Sequence, residues 1–194
     1  MPQSRVCLDF VEDVVPHLDA AYNLARWLTR NDQDAQDVVQ EAFMRAFRFL
    51  DNFRGGNVRA WVLRIVRNTC YTWLHQNRPQ QPTVEFDEEF FGPDPQARTP
   101  EEALSRKDDR KLVRRALQEL PASHREVLIL RELEGMSYKE ISEIMDMPAG
   151  TVMSRLSRAR DGFRQSLANL GHQATLPNSR RDVTMIRHDS GHQT

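Results

Sequence analysis

Two helices joined by a tight break are written between Gly135 and Ser166, and they constrain the fold more than any other stretch. Ser137 to Met145 carries Ile141, Ile144 and Met145 on one stripe, and Ala149 to Arg160 and beyond carries Val152, Leu156, Ala159, Phe163 and Leu167 on another. Between them stand Asp146, Met147 and Pro148. Proline lacks a backbone donor and fixes one dihedral, so it suits the first turn of a helix and not its middle. Two amphipathic helices around such a break describe a helix-turn-helix.

At about 100° per residue, Thr151, Ser154, Arg155 and Arg158 share one stripe of the second helix, away from its apolar seam. Hydroxyls and guanidiniums suit phosphates and guanine edges in a major groove. From Arg155 to Arg164 four arginines stand against one acid, Asp161. A solvated helix face is the bland reading of a basic stripe. Its place on the second helix of a helix-turn-helix favours DNA contact.

Elsewhere the apolar spacing is helical and no stretch alternates like a strand, so the expected fold class is all-α. Leu18, Tyr22, Ala25 and Leu28 form a stripe within residues 8–29. Asp34 is positioned to cap a helix over about 34–50, with Val38, Val39, Ala42, Phe43, Ala46, Phe47 and Leu50 inward. Asp37 and Glu41 lie on another face of that helix, with Arg45 and Arg48 further along. On pattern alone this acid-then-base order is helix-dipole complementarity; a partner-binding surface is the alternative. A glycine loop, Gly55-Gly56-Asn57, precedes a helix from about Arg59 to His75. Helical patterning resumes near Glu101, is interrupted at Pro121, restarts at Ser123 and fades after Leu170.

The formal net charge of −1 argues against indiscriminate nucleic-acid binding, but the charges are segregated. Residues 1–78 hold 10 Lys and Arg against 9 acids, 79–102 hold 1 against 7, and 103–170 hold 13 against 10. The middle strip also contains five prolines. The expected organisation is therefore two small helical domains, 1–78 and 103–170, joined by a flexible acidic linker, 79–102, with a flexible tail over 171–194. Cys7 and Cys70, the two cysteines, form no CxxC or metal-ligand spacing. With no apolar run long enough for a membrane and no signal-peptide core, a cytoplasmic location is expected.

A second nucleic-acid signal lies in the first domain. Between Asn52 and Val84 there is no Asp or Glu, although 28% of the chain is charged. The window holds Arg54, Arg59, Arg64, Arg67 and Arg78, interleaved with Phe53, Trp61, Tyr71 and Trp73. Arginine answers a phosphate backbone, and aromatic faces stack unpaired bases at roughly 1–3 kcal/mol each. Trp61, Ile65 and Thr69 are also helically spaced, which equally suits a core position for Trp61.

In order and spacing, four segments resemble bacterial sigma factors of the sigma-70 family, extracytoplasmic-function (ECF) subfamily. They are Asp34–Phe43, Phe53-Arg-Gly-Gly with Trp61–Asn68, Leu120–Leu128 and Gly150–Arg160. The resemblance implies a promoter-specificity subunit, not an enzyme, working without cofactor or metal. Asp37, Gln40, Glu41 and Arg45 would meet the clamp helices of the largest subunit of core RNA polymerase, with the flap as a further contact. Phe53, Arg54, Asn57, Trp61, Arg64 and Asn68 would open the minus-ten element and hold an extruded non-template base. Thr151, Ser154, Arg155 and Arg158 would face the duplex minus-35 element. The linker's carboxylates would thread the polymerase's RNA path. An anti-sigma factor is an expected partner, and the free chain is expected to be monomeric. Met153 stands where the family often has arginine.

Two other functions compete. A stand-alone operator-binding regulator would ordinarily dimerise, yet no heptad or long apolar dimer helix is written here, and residues 52–78 would be unexplained. A helical metal protein or enzyme could draw on His188, Asp189 and His192, but these lie in the unpatterned tail, and no phosphate loop or nucleophile motif is present.

Overall fold

A computed structural model describes residues 8–77 and 100–175. Most of the expected linker, and the tail from residue 176 with its histidines, therefore lie outside the described residues, as do Cys7 and Arg78. Among the described residues every regular element is helical: α1 (Leu18–Thr29), α2 (Asp32–Arg48), α3 (Val58–Gln76), α4 (Pro100–Glu119), α5 (Ala122–Leu128), α6 (Tyr138–Met145) and α7 (Ala149–Thr175). Short irregular turns occupy Phe10–Val14, Val15–His17 and Leu50–Asn52, and a wide π-turn, Ile129–Leu133, prolongs α5. None of these helices is long and apolar enough to cross a membrane.

Helix ends follow local chemistry. Arg30 and Asp146 adopt left-handed backbone (φ 61° and 52°) and stop α1 and α6. Asn31, not Asp34, caps α2, its side chain accepting from the Asp34 amide. An Asx cap acts on the amide three residues on, so Asp34 sits where the bond arrives. Asn57 caps α3 through the Ala60 amide, 3.1 Å away. Ser137 and Glu140 form a reciprocal capping box on α6. The carbonyl of Pro148 accepts from Thr151 and Val152, at 2.9 and 3.1 Å, which starts α7 at the expected proline.

α1, α2 and α3 pack on one another to make a first body, and α4 to α7 make a second. Leu24, Val38, Val62, Leu63 and Val66 fill the first core; Val127, Leu130, Ile141, Ile144, Val152 and Leu156 fill the second. Each such side chain contributes about 1.5–3 kcal/mol on leaving water. Gly162 lets Leu120 approach α7 closely, since a Cβ there would lie 3.1 Å from the Leu120 Cδ2.

Several expectations change. Leu18 and Phe47 are exposed, where both were expected on apolar seams. Leu24 and Trp27 take the inward positions of α1. Phe47 instead meets the Phe10 ring edge-on at 5.2 Å, beside Phe43. α7 runs to Thr175, past the point where apolar spacing fades. The two bodies are packed together, α3 against α6 and α1 against α5, and their buried residues form one continuous cluster.

Candidate nucleic-acid interface

The loop before α3 and the first turns of that helix enclose a groove of about 400 Å³. Phe53, Arg54, Gly55, Gly56, Asn57, Trp61 and Arg64 line it. Gly55 and Gly56 have φ of 91° and 110°, a region that side chains resist, so the loop turns sharply enough to bring Phe53 to Trp61. The two rings meet edge-on, 5.4 Å between centroids. Phe53 is buried and Trp61 half-buried. Trp61 is thus both a packing partner of Phe53 and a wall of the groove. Arg54, Asn57, Arg64 and Asn68 are exposed, and Asn68 lies a turn beyond the groove.

The proposed polymerase face lies on the outer side of α2. Asp37 and Gln40 are exposed, and Glu41 and Arg45 are half-buried and paired at 2.8 Å within the helix. On α7, Thr151, Ser154 and Arg158 are exposed together, with Met153 between them. Arg155 is half-buried, and its charge acts on Tyr71 and Glu126 at the joint between the bodies.

That joint was not legible beforehand. All three arginines of α3 face a carboxylate of the second body. Arg59 binds Glu134 at 2.5 Å and also donates to the Glu134 carbonyl at 2.8 Å. Arg64 faces Asp146 at 3.5 Å, and Arg67 binds Glu126 at 2.5 Å. Asn57 donates to the Glu140 carboxylate, which also closes the α6 capping box. Tyr71 donates to Glu126 at 3.0 Å, and Arg67 lies over the Tyr71 ring. At the other edge, Arg125 donates to the Trp27 carbonyl and Arg30 to the Gln118 carbonyl, at 2.9 and 2.6 Å. Both are held tightly enough that burial lowers their pKa, that of Arg125 to about 10, with Arg30 nearby adding to the effect.

These contacts differ in weight. Arg64 and Asp146 are largely exposed, and such pairs contribute at most about 1 kcal/mol. Glu126 has no exposed side-chain surface. Burial pushes its carboxyl above the ordinary range, with Arg67 and the Tyr71 hydroxyl pulling the other way. The Tyr71 hydroxyl is itself raised by burial and by the Glu126 charge. Burial raises the Cys70 thiol to about 12, again helped by Glu126, so it is an inert core group. Among the described residues no three His, Cys, Asp or Glu side chains are grouped to hold a metal.

A helix-turn-helix with an open basic face, joined to a helical bundle with an aromatic and arginine-lined groove, defines a protein built for DNA. Comparison with known proteins carries this further. The family model for Sigma-70 region 2 matches residues 14–80, and that for Sigma-70, region 4 matches residues 110–161. The chain is 40% identical over 149 residues to the RNA polymerase sigma-H factor of Pseudomonas aeruginosa, covering 73% of this chain and 77% of that one. It is 40% identical over 137 residues to the ECF RNA polymerase sigma-E factor of Escherichia coli K12, covering 67% and 72%. The sigma factor RpoE solved with the anti-sigma factor NepR from Bartonella quintana superposes with a TM-score of 0.67 at 28% identity, over 82% of this chain and 97% of that one. CnrH, solved with the cytosolic domain of CnrY, gives 0.58 at 25% identity, over 82% and 88%. The chain belongs to the sigma-70 family of RNA polymerase sigma factors, ECF type. It is a promoter-specificity factor that directs core RNA polymerase in transcription initiation, and it is not an enzyme.

Proposed function

We propose that the three faces divide the work of initiation. The outer face of α2, with Asp37, Gln40, Glu41 and Arg45, docks on the clamp helices of core polymerase. The groove of Phe53, Arg54, Asn57, Trp61 and Arg64, with Asn68 beyond it, holds a base extruded from the minus-ten element. Unstacking a base costs a few kcal/mol, which the groove must offset by stacking and by arginine contacts to the strand. Thr151, Ser154, Arg155 and Arg158 on α7 face the minus-35 duplex. The two bodies act as the units that the sequence divides at residues 79–102. The protein works in the cytoplasm, and an anti-sigma factor controls it, as the likeness to RpoE and CnrH in their complexes supports.

The observation that carries this reading is the groove itself: an acid-free loop and helix start whose aromatic and guanidinium groups converge on a space of about 400 Å³. Run-off transcription with purified core polymerase on a promoter library tests it. Added protein should select a discrete set of start sites. No gain in start-site selectivity on any template overturns it.

A further inference from the structure

Over the first three turns of α7, Val152, Leu156 and Ala159 are buried, as the apolar seam requires, yet one large apolar side chain stays out. Met153 keeps 51% of its surface exposed. A lone apolar side chain on a surface is ordinary; the place of this one is not. It is the fifth residue of α7, the second helix of the helix-turn-helix. The N-terminal turns of such a helix are the part that meets base edges in a major groove.

At about 100° per residue, Met153 and Arg155 stand at equal angles on either side of Ser154. Spacing alone gives neither the better claim to the outer face. The structure breaks the tie, because Met153 is exposed and Arg155 half-buried. The open arc of α7 therefore runs from Thr151 and Arg158 through Ser154, Gly150 and Ser157 to Met153.

The surroundings of Met153 are low. A Cβ on Gly150 would meet nothing within 4 Å, and helical side chains lean toward the N-terminus, so Met153 leans toward that bare turn. The Ser154 hydroxyl folds back on its own helix and donates to the Thr151 carbonyl at 3.0 Å. On this flank the thioether is thus the longest group that an approaching base edge would meet. Hydrogen-bonding groups dominate the major groove, and a thioether answers them weakly. The C5-methyl of thymine is the apolar exception. Methionine, flexible and polarizable, adapts to such a contact.

We propose that Met153 is a specificity-determining residue that reads the C5-methyl group of a thymine in the minus-35 duplex. The proposal rests on the reading of α7 given above. Thr151, Ser154 and Arg158 supply polar contacts, and Met153 adds discrimination for an A·T pair at the step beneath it. Cytosine at that step would set the Met153 surface against an edge without a methyl group.

Run-off transcription with the full chain and purified core polymerase tests this. Wild type first selects its minus-35 element from a promoter library. Templates then carry uracil in place of one thymine at a time, on either strand of that element. Uracil keeps every hydrogen-bonding group of thymine and lacks only the methyl. Wild type should lose about three- to fivefold at one of these thymines, the worth of one methyl group removed from water. Met153→Ala should lose a similar factor on the thymine template and no longer distinguish thymine from uracil there. Alanine suits an exposed helix position, so the fold is kept. Met153→Leu should retain most of the discrimination. A selected element without thymine overturns the proposal, as does a wild type indifferent to uracil at every position. A Met153→Ala variant that keeps the discrimination overturns it too, the result expected if Met153 met a protein surface instead. Start-site selection by the wild type separates the two levels. Its absence removes the functional reading, whereas normal selection without methyl dependence at Met153 removes only this proposal.

Discussion

Helices α2 and α3 lie side by side in the same body, and they present their polar faces in opposite conditions. The outer face of α2 keeps Asp37 and Gln40 in water, and the Glu41–Arg45 ion pair there is internal to the helix. On α3 the three arginines are each matched by an acid from the second body. One face is ready for an outside partner; the other already has an inside one. The lesson is that a basic surface on a single chain is not thereby a vacant surface. Which charges are free is decided by how the two bodies meet.

The strongest way to break this contrast is to remove the most buried contact of the covered face. Glu126→Ala leaves Arg67 without its partner, and losing one member of a buried pair costs about 3 kcal/mol at the lower end of the usual range. The Arg67 side chain retains 19% exposure, which is why the lower end applies. Urea unfolding should show this loss, and a midpoint equal to wild type would mean that the joint contributes little.

Truncation on the exposed face of α7 should leave stability alone and alter DNA reading. Arg158→Ala is expected to reduce run-off transcription from a cognate promoter about tenfold, in keeping with roughly 1–3 kcal/mol for a good base contact. Polymerase binding should be unchanged. A parallel loss of both would place Arg158 in a structural role.

The open face of α2 gives a narrower test. Asp37→Arg should weaken binding to core polymerase about fivefold or more, because rim charges act chiefly on encounter and register. The unfolding midpoint should stay within about 0.5 kcal/mol of wild type, as for surface changes remote from packing. Unaltered affinity in a pull-down would remove α2 from the polymerase contact.

The smallest effect is a pH dependence. Burial raises the Glu126 pKa in the folded chain above its unfolded value. Above the unfolded value, keeping the carboxylate charged therefore costs stability, and that cost is relieved as pH falls through the folded value. Stability should rise slightly on acidification from neutral into the upper carboxylate range. Glu126→Gln should lack this rise. A wild-type curve that only falls over that interval would show that Arg67 and Tyr71 outweigh burial.

Helix positions, the proline-started α7 and the buried stripe of α6 were all legible from spacing, because an amphipathic helix writes its period into the chain. The acid-free window was equally legible, and it led to the groove of Phe53, Asn57, Trp61 and Arg64. Its counter-charges were not. Nothing local marks Glu126, Glu134, Glu140 and Asp146 as partners of residues 59–83 positions away. Phe47 misled for a related reason. Its spacing suits the core, but the N-terminal segment supplies Phe10 on the outside.

By itself the amino-acid order determined an all-helical chain, the helix-turn-helix and the location of the aromatic and arginine groups, since turns, caps and apolar period act over a few residues. Only the tertiary structure decided which of those groups face water. Packing α3 against α6 pairs charges distant along the chain, and the free energy of such a contact depends on separation in space and on burial, neither of which is written in any single segment.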